Sequence, residues 1–199
     1  NRFCSCIEKL PKKPTSIFST HGILYIDPKV TSSFENQIYR VGVGLLGDIY
    51  EQTMAMQIHA RVNEVRTVRQ GEGIGYDQIF TAQNDMRIAV VDIGYGDGYS
   101  RGLNVTNEQI NDRNRPYMMI DHQACHVVGK ISMNMTAIDI SELNKDVNPT
   151  HDFAEVIGPN VDIRRLANYA QTAPEELMIN MQASNRRAKD IISPQPKRR

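Results

Sequence analysis

Ile58-His59-Ala60-Arg61-Val62-Asn63 reads apolar, polar, apolar, polar, apolar, polar. A period of two puts Ile58, Ala60 and Val62 on the core side of an extended chain, with His59, Arg61 and Asn63 on the other side. The stretch predicts a strand over 56–68. Working outward, further short strands are predicted at 86–93, 117–121, 125–129, 131–140 and 153–157. Gly, Asn and Asp punctuate them, a spacing that argues for an antiparallel β-domain. Within Ile131-Ser132-Met133-Asn134-Met135 the alternation predicts Met133 and Met135 on one face. Toward the C-terminus the period lengthens: Ile163, Leu166, Ala167 and Ala170 mark one apolar helical stripe. Thr172-Ala173-Pro174-Glu175 predicts a capping box, with Thr172 at the N-cap and Glu175 reaching back, and Leu177, Met178 and Met181 as the buried face beyond it.

Upstream of about residue 51 the texture differs. Phe3, Ile7 and Leu10 recur at helical spacing until Pro11 and Pro14 break the pattern. A strand is predicted over 17–26, a loop or short helix over 30–36, and an apolar, glycine-studded run from Ile38 to Gly47. Helix, strand, connection and strand suit a fragment of an α/β barrel or sheet. Parallel strands buried on both faces need covering helices that these residues do not supply. The expected organisation is a barrel remnant over 1–50, a β-domain with terminal helices over 51–190, and a basic, disordered tail over 191–199.

Composition narrows the function classes. The chain has 199 residues, and its 23 Lys and Arg balance its 23 Asp and Glu, leaving no electrostatic pull toward nucleic acid or an anionic membrane. No apolar run approaches the ~18 residues of a membrane span. The three cysteines, Cys4, Cys6 and Cys125, make no disulfide framework, so a reducing cytoplasm is expected. His122 and His126 have a His-x3-His spacing that suits a metal only on a helix. Their surroundings read as strand, hairpin, strand, so both are taken as polar residues near a turn, and no metal is expected.

Three glycine clusters remain. Gly42-Val43-Gly44-Leu45-Leu46-Gly47 has the form of a dinucleotide fingerprint but lacks the following helix and acidic residue. Its glycines serve either packing and turns or a phosphate cradle of backbone N–H groups. Gly71-Glu72-Gly73-Ile74-Gly75-Tyr76 and Gly94-Tyr95-Gly96-Asp97-Gly98-Tyr99 each set a tyrosine beside glycine, on loops that can approach other backbone closely. A phenol with a pKa of ~10 works as an acid or base only with cationic neighbours or a charged transition state.

In order, the chain carries Tyr39-Arg40-Val41-Gly42-Val43, Gly73-Ile74-Gly75-Tyr76, Ile93-Gly94-Tyr95-Gly96-Asp97-Gly98-Tyr99 and Gly129-Lys130-Ile131-Ser132-Met133-Asn134. This series resembles the C-terminal part of alanine racemase, from about Ile17 to about Ala183. The resemblance implies a mainly β chain: the family's C-terminal β-domain, preceded by the last strands of an incomplete α/β barrel. It implies pyridoxal 5'-phosphate as electron sink, interconversion of L- and D-alanine for peptidoglycan, and a head-to-tail homodimer. One base is needed on each face of the substrate, and Tyr76 matches the tyrosine that reaches in from the neighbouring subunit. Arg40 matches the arginine facing the pyridine nitrogen. Gly42, Val43 and Thr20 match phosphate-binding positions, and Met133 the residue whose backbone N–H meets the substrate carboxylate. Tyr95 and Asn134 match residues of the substrate channel. The chain departs from the family in three respects. Asn134 stands for an aspartate, Glu175 for a phosphate-binding tyrosine, and Leu46 for a tyrosine before glycine. No segment resembles the surroundings of the cofactor lysine, so the isolated chain is expected to be inactive. The alternatives are a truncated, non-catalytic β-domain and a generic phosphate-binding β-domain.

Overall fold

The computed structural model describes Pro14, Ser16, residues 18–25, Asp27, Lys29, residues 38–42 and residues 56–183. The chain divides into two compact units, Asn1–Ala55 and Met56–Arg199. The expectations for 1–13, 30–36, Val43, Leu46 and the tail from Ser184 lie outside the described residues.

In the second unit, strands β1 (Ile58–Val68), β4 (Met86–Val91), β5 (Tyr117–Ile120), β6 (Gln123–Val127), β7 (Thr136–Asp139) and β8 (Phe153–Ile157) close into a barrel. Its order is β1-β4-β7-β6-β5-β8, and every pairing within it is antiparallel. Closure leaves no barrel edge unpaired. The alternation read from Ile58–Asn63 holds at Ala60 and Val62, which are buried between exposed His59, Arg61 and Asn63. Asn63 is then an extra residue, since Val62 pairs with Val91 and Glu64 with Val90. Beyond the bulge Val68 is the next buried position. The β5–β6 hairpin turns on Asp121 (φ 47°) and His122 (φ 61°), two left-handed residues whose twist matches that of the strands. His122 is therefore exposed on a turn, while His126 lies on β6 with its ring edge against Tyr117 at 6.0 Å.

Between β1 and β4 lies a small hairpin, β2 (Gly73–Ile74) and β3 (Phe80–Thr81). Ile74 and Phe80 are fully buried in a cluster with Val68, Ala82, Met86, Ile88 and Val128. Burying two such side chains contributes roughly 3–6 kcal/mol. This fixes the two ends of the hairpin, and its tip carries Tyr76.

Two of the elements expected in this unit differ. Only Thr136–Asp139 of the 131–140 segment is strand. Residues 132–135 form a tight turn, in which the Ser132 N–H donates to the Met135 carbonyl (3.0 Å) and the Ser132 hydroxyl accepts from the Met135 N–H (2.9 Å). A serine bonding its own neighbourhood competes with a ladder and wins here. Met133 and Met135 are consequently both exposed rather than aligned on a strand.

The capping box also slips. Helix α3 (Pro174–Ala183) begins at Pro174, whose fixed φ and missing N–H suit the first helical position, so Ala173 is the N-cap. The Thr172 hydroxyl donates to the Glu176 carboxylate, and Glu175 does not close a box with it. The stripe itself holds: Leu177, Met178 and Met181 are buried. Helix α2 (Ile163–Tyr169) buries Ile163, Leu166 and Ala167 and is capped by Asp162, whose carboxylate accepts from the Arg164 and Arg165 N–H groups.

In the first unit, Thr20–Tyr25 is helix (α1) where a strand over 17–26 was expected. Ser19 makes a parallel bridge to Arg40, with the Arg40 N–H donating to the Phe18 carbonyl at 3.1 Å. A continuing ladder would take the Gly42 N–H onto the Thr20 carbonyl. The Thr20 side-chain oxygen accepts it instead, at 3.1 Å, and the main chain turns into the helix. β-Branched composition signals a preference for pairing, but this side-chain bond across the bridge takes the place of the next ladder bond.

Candidate functional site

The tip of the β2–β3 hairpin is built to project Tyr76. Gly75 has φ +77°, a conformation that L side chains rarely adopt, and a Cβ there would sit 3.3 Å from the Lys130 main chain. Tyr76–Gln78 form one 3-10 turn, in which Asp77 (φ 59°) and Gln78 (φ 47°) are left-handed. The Asp77 carboxylate is paired with the Lys130 ammonium. A hydrogen bond from Lys130 and then its charge hold the Asp77 carboxyl below the ordinary range. Gly129 seats the other side of the seam: its φ is +74°, and a Cβ would meet the Ile74 carbonyl at 2.6 Å. Tyr76 is left 68% exposed.

A second seam joins the 94–99 loop to the 132–135 turn. The Tyr95 N–H donates to the Ser132 carbonyl (3.0 Å) and the Gly96 N–H to the Met133 carbonyl (2.7 Å). The Met133 N–H meets no acceptor among the described residues. Asn134 is half-buried beside Gly96. Tyr95 is exposed, with the Arg101 guanidinium over its ring at 5.6 Å from the centroid. Arg101 is also close enough for its charge to act on Asp77. The two seams are adjacent along the chain: Lys130 belongs to the first, Ser132 and Met133 to the second. Tyr76, Tyr95, Met133 and Asn134, scattered over 59 positions of sequence, come together on the surface these loops make. Tyr99 does not join them, for it is fully buried and burial pushes its phenol up.

In the first unit Thr20 and Gly42 converge, the buried hydroxyl lying 3.1 Å from the Gly42 amide, next to the parallel Ser19–Arg40 bridge. Hydroxyls and backbone amides are donor types that hold a phosphate, but here the Gly42 N–H is given to the Thr20 oxygen, so a phosphate would take over that bond. Among the described residues nothing lies within 4 Å of where a Cβ on Gly42 would be, and with that exchange the residues fit a phosphorylated cofactor. Arg40 is exposed, and Val43 lies outside the described residues. Glu175 is half-buried in the first turn of α3.

The pairing of Asp77 with Lys130 escaped the sequence reading, although Lys130 stood within a quoted motif. The available signal was an aspartate directly after Gly75-Tyr76, a residue type that tolerates the left-handed region. The Thr20–Gly42 bond carried no signal, since it joins positions 22 apart across a pairing that cannot be read from one strand.

Comparison with known proteins matches the domain that carries these loops. The family described as alanine racemase, C-terminal domain, matches residues 55–189. An alanine racemase from Alteromonas mediterranea is 33% identical over 150 residues, covering 70% of this chain and 38% of the relative. One from Acidiphilium cryptum is 28% identical over 192 residues, covering 94% of this chain and 49% of the relative. The chain thus spans less than half the length of either relative. Among solved structures, alanine racemase from Acinetobacter baumannii superposes with a TM-score of 0.67 at 27% identity, over 83% of this chain and 44% of that one. The enzyme from Bartonella henselae, with covalently bound pyridoxal phosphate, gives 0.74 at 23% identity, over 90% and 47%, a likeness of fold. With a closed antiparallel barrel, two terminal helices and a family match over most of its length, this chain belongs to the alanine racemases, of which it carries the C-terminal β-domain.

Proposed function

We propose that this chain is the C-terminal part of a pyridoxal-phosphate-dependent racemase that interconverts L- and D-alanine, supplying D-alanine for peptidoglycan in the cytoplasm. The observation that carries the reading is Tyr76, held exposed at a hairpin tip whose two ends are anchored in the core. A phenol buried in its own domain could not serve another subunit; this one is presented outward. In a head-to-tail homodimer Tyr76 holds and moves the proton on one face of the alanine α-carbon, and a base on the other face comes from the neighbouring subunit's barrel. The Met133 N–H, without an acceptor among the described residues, binds the substrate carboxylate, while Tyr95 and Asn134 line the channel. Thr20, Gly42 and Val43 bind the cofactor phosphate and Arg40 faces the ring nitrogen, where a permanent positive charge disfavours protonation. When bound, the cofactor supplies the electron sink that makes the α-proton of alanine removable. The barrel remnant of residues 1–50 and the β-domain of 51–190 are the two parts that divide these roles.

Racemisation of alanine by the native gene product, loaded with pyridoxal phosphate, tests the reading. Replacing Tyr76 by Phe is expected to lower the rate by about 10²–10⁴-fold, the usual worth of a positioned acid–base group, with cofactor absorbance retained. Undiminished racemisation would remove Tyr76 from the mechanism. A second reading, a truncated and non-catalytic β-domain, is favoured by Glu175, an acid in place of a phosphate-binding hydroxyl. A stop codon directly upstream in the gene would support it.

A further inference from the structure

We propose that Asp77 is a positioning residue for Tyr76: its carboxylate, clamped by the Lys130 ammonium, locks the left-handed turn that aims the phenol out of the domain. Two consecutive residues after Tyr76, Asp77 and Gln78, have positive φ without being glycine. Such a conformation is disfavoured for any residue with a Cβ, and Asp is among the few that tolerate it. It persists where surrounding contacts over-determine it. Here the β2–β3 pairing fixes the hairpin strands, and Ile74 and Phe80 anchor them. Neither acts on the tip itself. The tip touches the rest of the domain at Lys130, twice: the Gly75 main chain packs on the Lys130 main chain, and the Asp77 carboxylate takes the Lys130 side chain. Gly75 gives the tip close approach. Asp77 gives it direction, because its own backbone conformation sets the path of the chain leaving Tyr76.

The two charges facing Asp77 differ in what they hold. Lys130 bonds to it directly, whereas Arg101 acts on it only through its field while its guanidinium covers the Tyr95 ring. Loss of the carboxylate therefore frees the Tyr76 turn and leaves Tyr95 in place. Asp77 is exposed and Lys130 only partly buried, so the pair contributes geometry at the tip more than stability of the barrel.

The role in catalysis rests on the racemase reading, and the position of Tyr76 can be measured without it. The test labels the tyrosine rings of the 199-residue chain with ¹³C and assigns Tyr76 from its disappearance in Y76F. In D77N, which keeps the left-handed tolerance of the residue and removes its charge, the Tyr76 ring signals are expected to shift and narrow toward those of a mobile side chain. The signals of buried Tyr99 and Tyr117 stay in place as the control for folding. K130Q is expected to reproduce the change and K130R to reverse it. In the native gene product, D77N is expected to lower kcat by about 10-fold with KM within about twofold, since a displaced base loses orientation but not substrate binding. Unmoved Tyr76 signals in both D77N and K130Q overturn the proposal. Shifted signals in a protein that does not racemise alanine uphold the positioning and reject only the racemase reading.

Discussion

Gly94 offers a clean separation of two reasons for glycine. Its φ of −150° and ψ of −166° are extended backbone open to any residue, so alanine there meets no conformational strain. It meets atoms instead: a Cβ would lie 2.3 Å from the Ser132 carbonyl oxygen and 2.6 Å from the Met133 carbonyl carbon and oxygen. Neither neighbour is a flexible side-chain end, so the 94–99 loop must lift from the 132–135 turn. Lifting breaks the Tyr95 N–H bond to Ser132 and the Gly96 N–H bond to Met133. Two hydrogen bonds at about 0.5–1.5 kcal/mol each, added to about 1–3 kcal/mol for overpacking, give a destabilisation of about 2–6 kcal/mol for G94A. With a urea slope of about 2–3 kcal/mol/M, the midpoint should fall by about 1–3 M. The chain has no tryptophan, so far-UV circular dichroism is the probe. G71A is the control: Gly71 has φ +86° with nothing within 4 Å of a Cβ, and the substitution should cost only the left-handed penalty of about 1–2 kcal/mol. Should G94A unfold at or above the G71A midpoint, close approach is not what Gly94 provides, and the seam between the Tyr95 and Met133 loops is misassigned.

Two further outcomes follow from the packing. D162A removes the carboxylate that accepts from the Arg164 and Arg165 N–H groups and should cost about 1 kcal/mol, read as a lower denaturation midpoint, whereas T172A, outside any cap, should cost much less. His126 has its pKa lowered by burial and by the Arg115 charge, so the unfolded chain takes up the proton first as pH falls. Its neutral form is favoured in the fold, and stability from this residue should be intact above its unfolded pKa of ~6.5 and decline below it. H126Q should flatten the drop in urea midpoint between pH 7 and pH 5; an unchanged drop would assign it to other groups.

The barrel was legible because alternation is a direct imprint of a half-buried strand, and Ala60 and Val62 kept it. It failed where a side chain takes a main-chain hydrogen bond. The Ser132 hydroxyl turns 132–135 into a loop although its apolar residues alternate, and the Thr20 side chain captures the Gly42 N–H and ends the extended run. Pro174 moved the helix start past Thr172 by its own fixed geometry. The candidate site was legible as motifs, because glycine beside tyrosine signals close approach. The agents of that approach were not: Lys130 under Gly75, the Ile74 carbonyl under Gly129 and the Ser132 carbonyl under Gly94 are contacts between loops distant in sequence.

The central claim, that Tyr76 of one subunit serves the site carrying Arg40 of the other, is tested by mixing two disabled versions of the native gene product. On the proposed roles, Y76F lacks the base and R40E the cofactor-facing cation, and each alone should be close to inactive. When they are unfolded together and reassembled, half the dimers are mixed, and in each of these one of the two sites has both wild-type residues. The account predicts recovery of about a quarter of wild-type racemisation. A mixture as inactive as its components would contradict it, because Tyr76 and Arg40 would then have to act within the same chain.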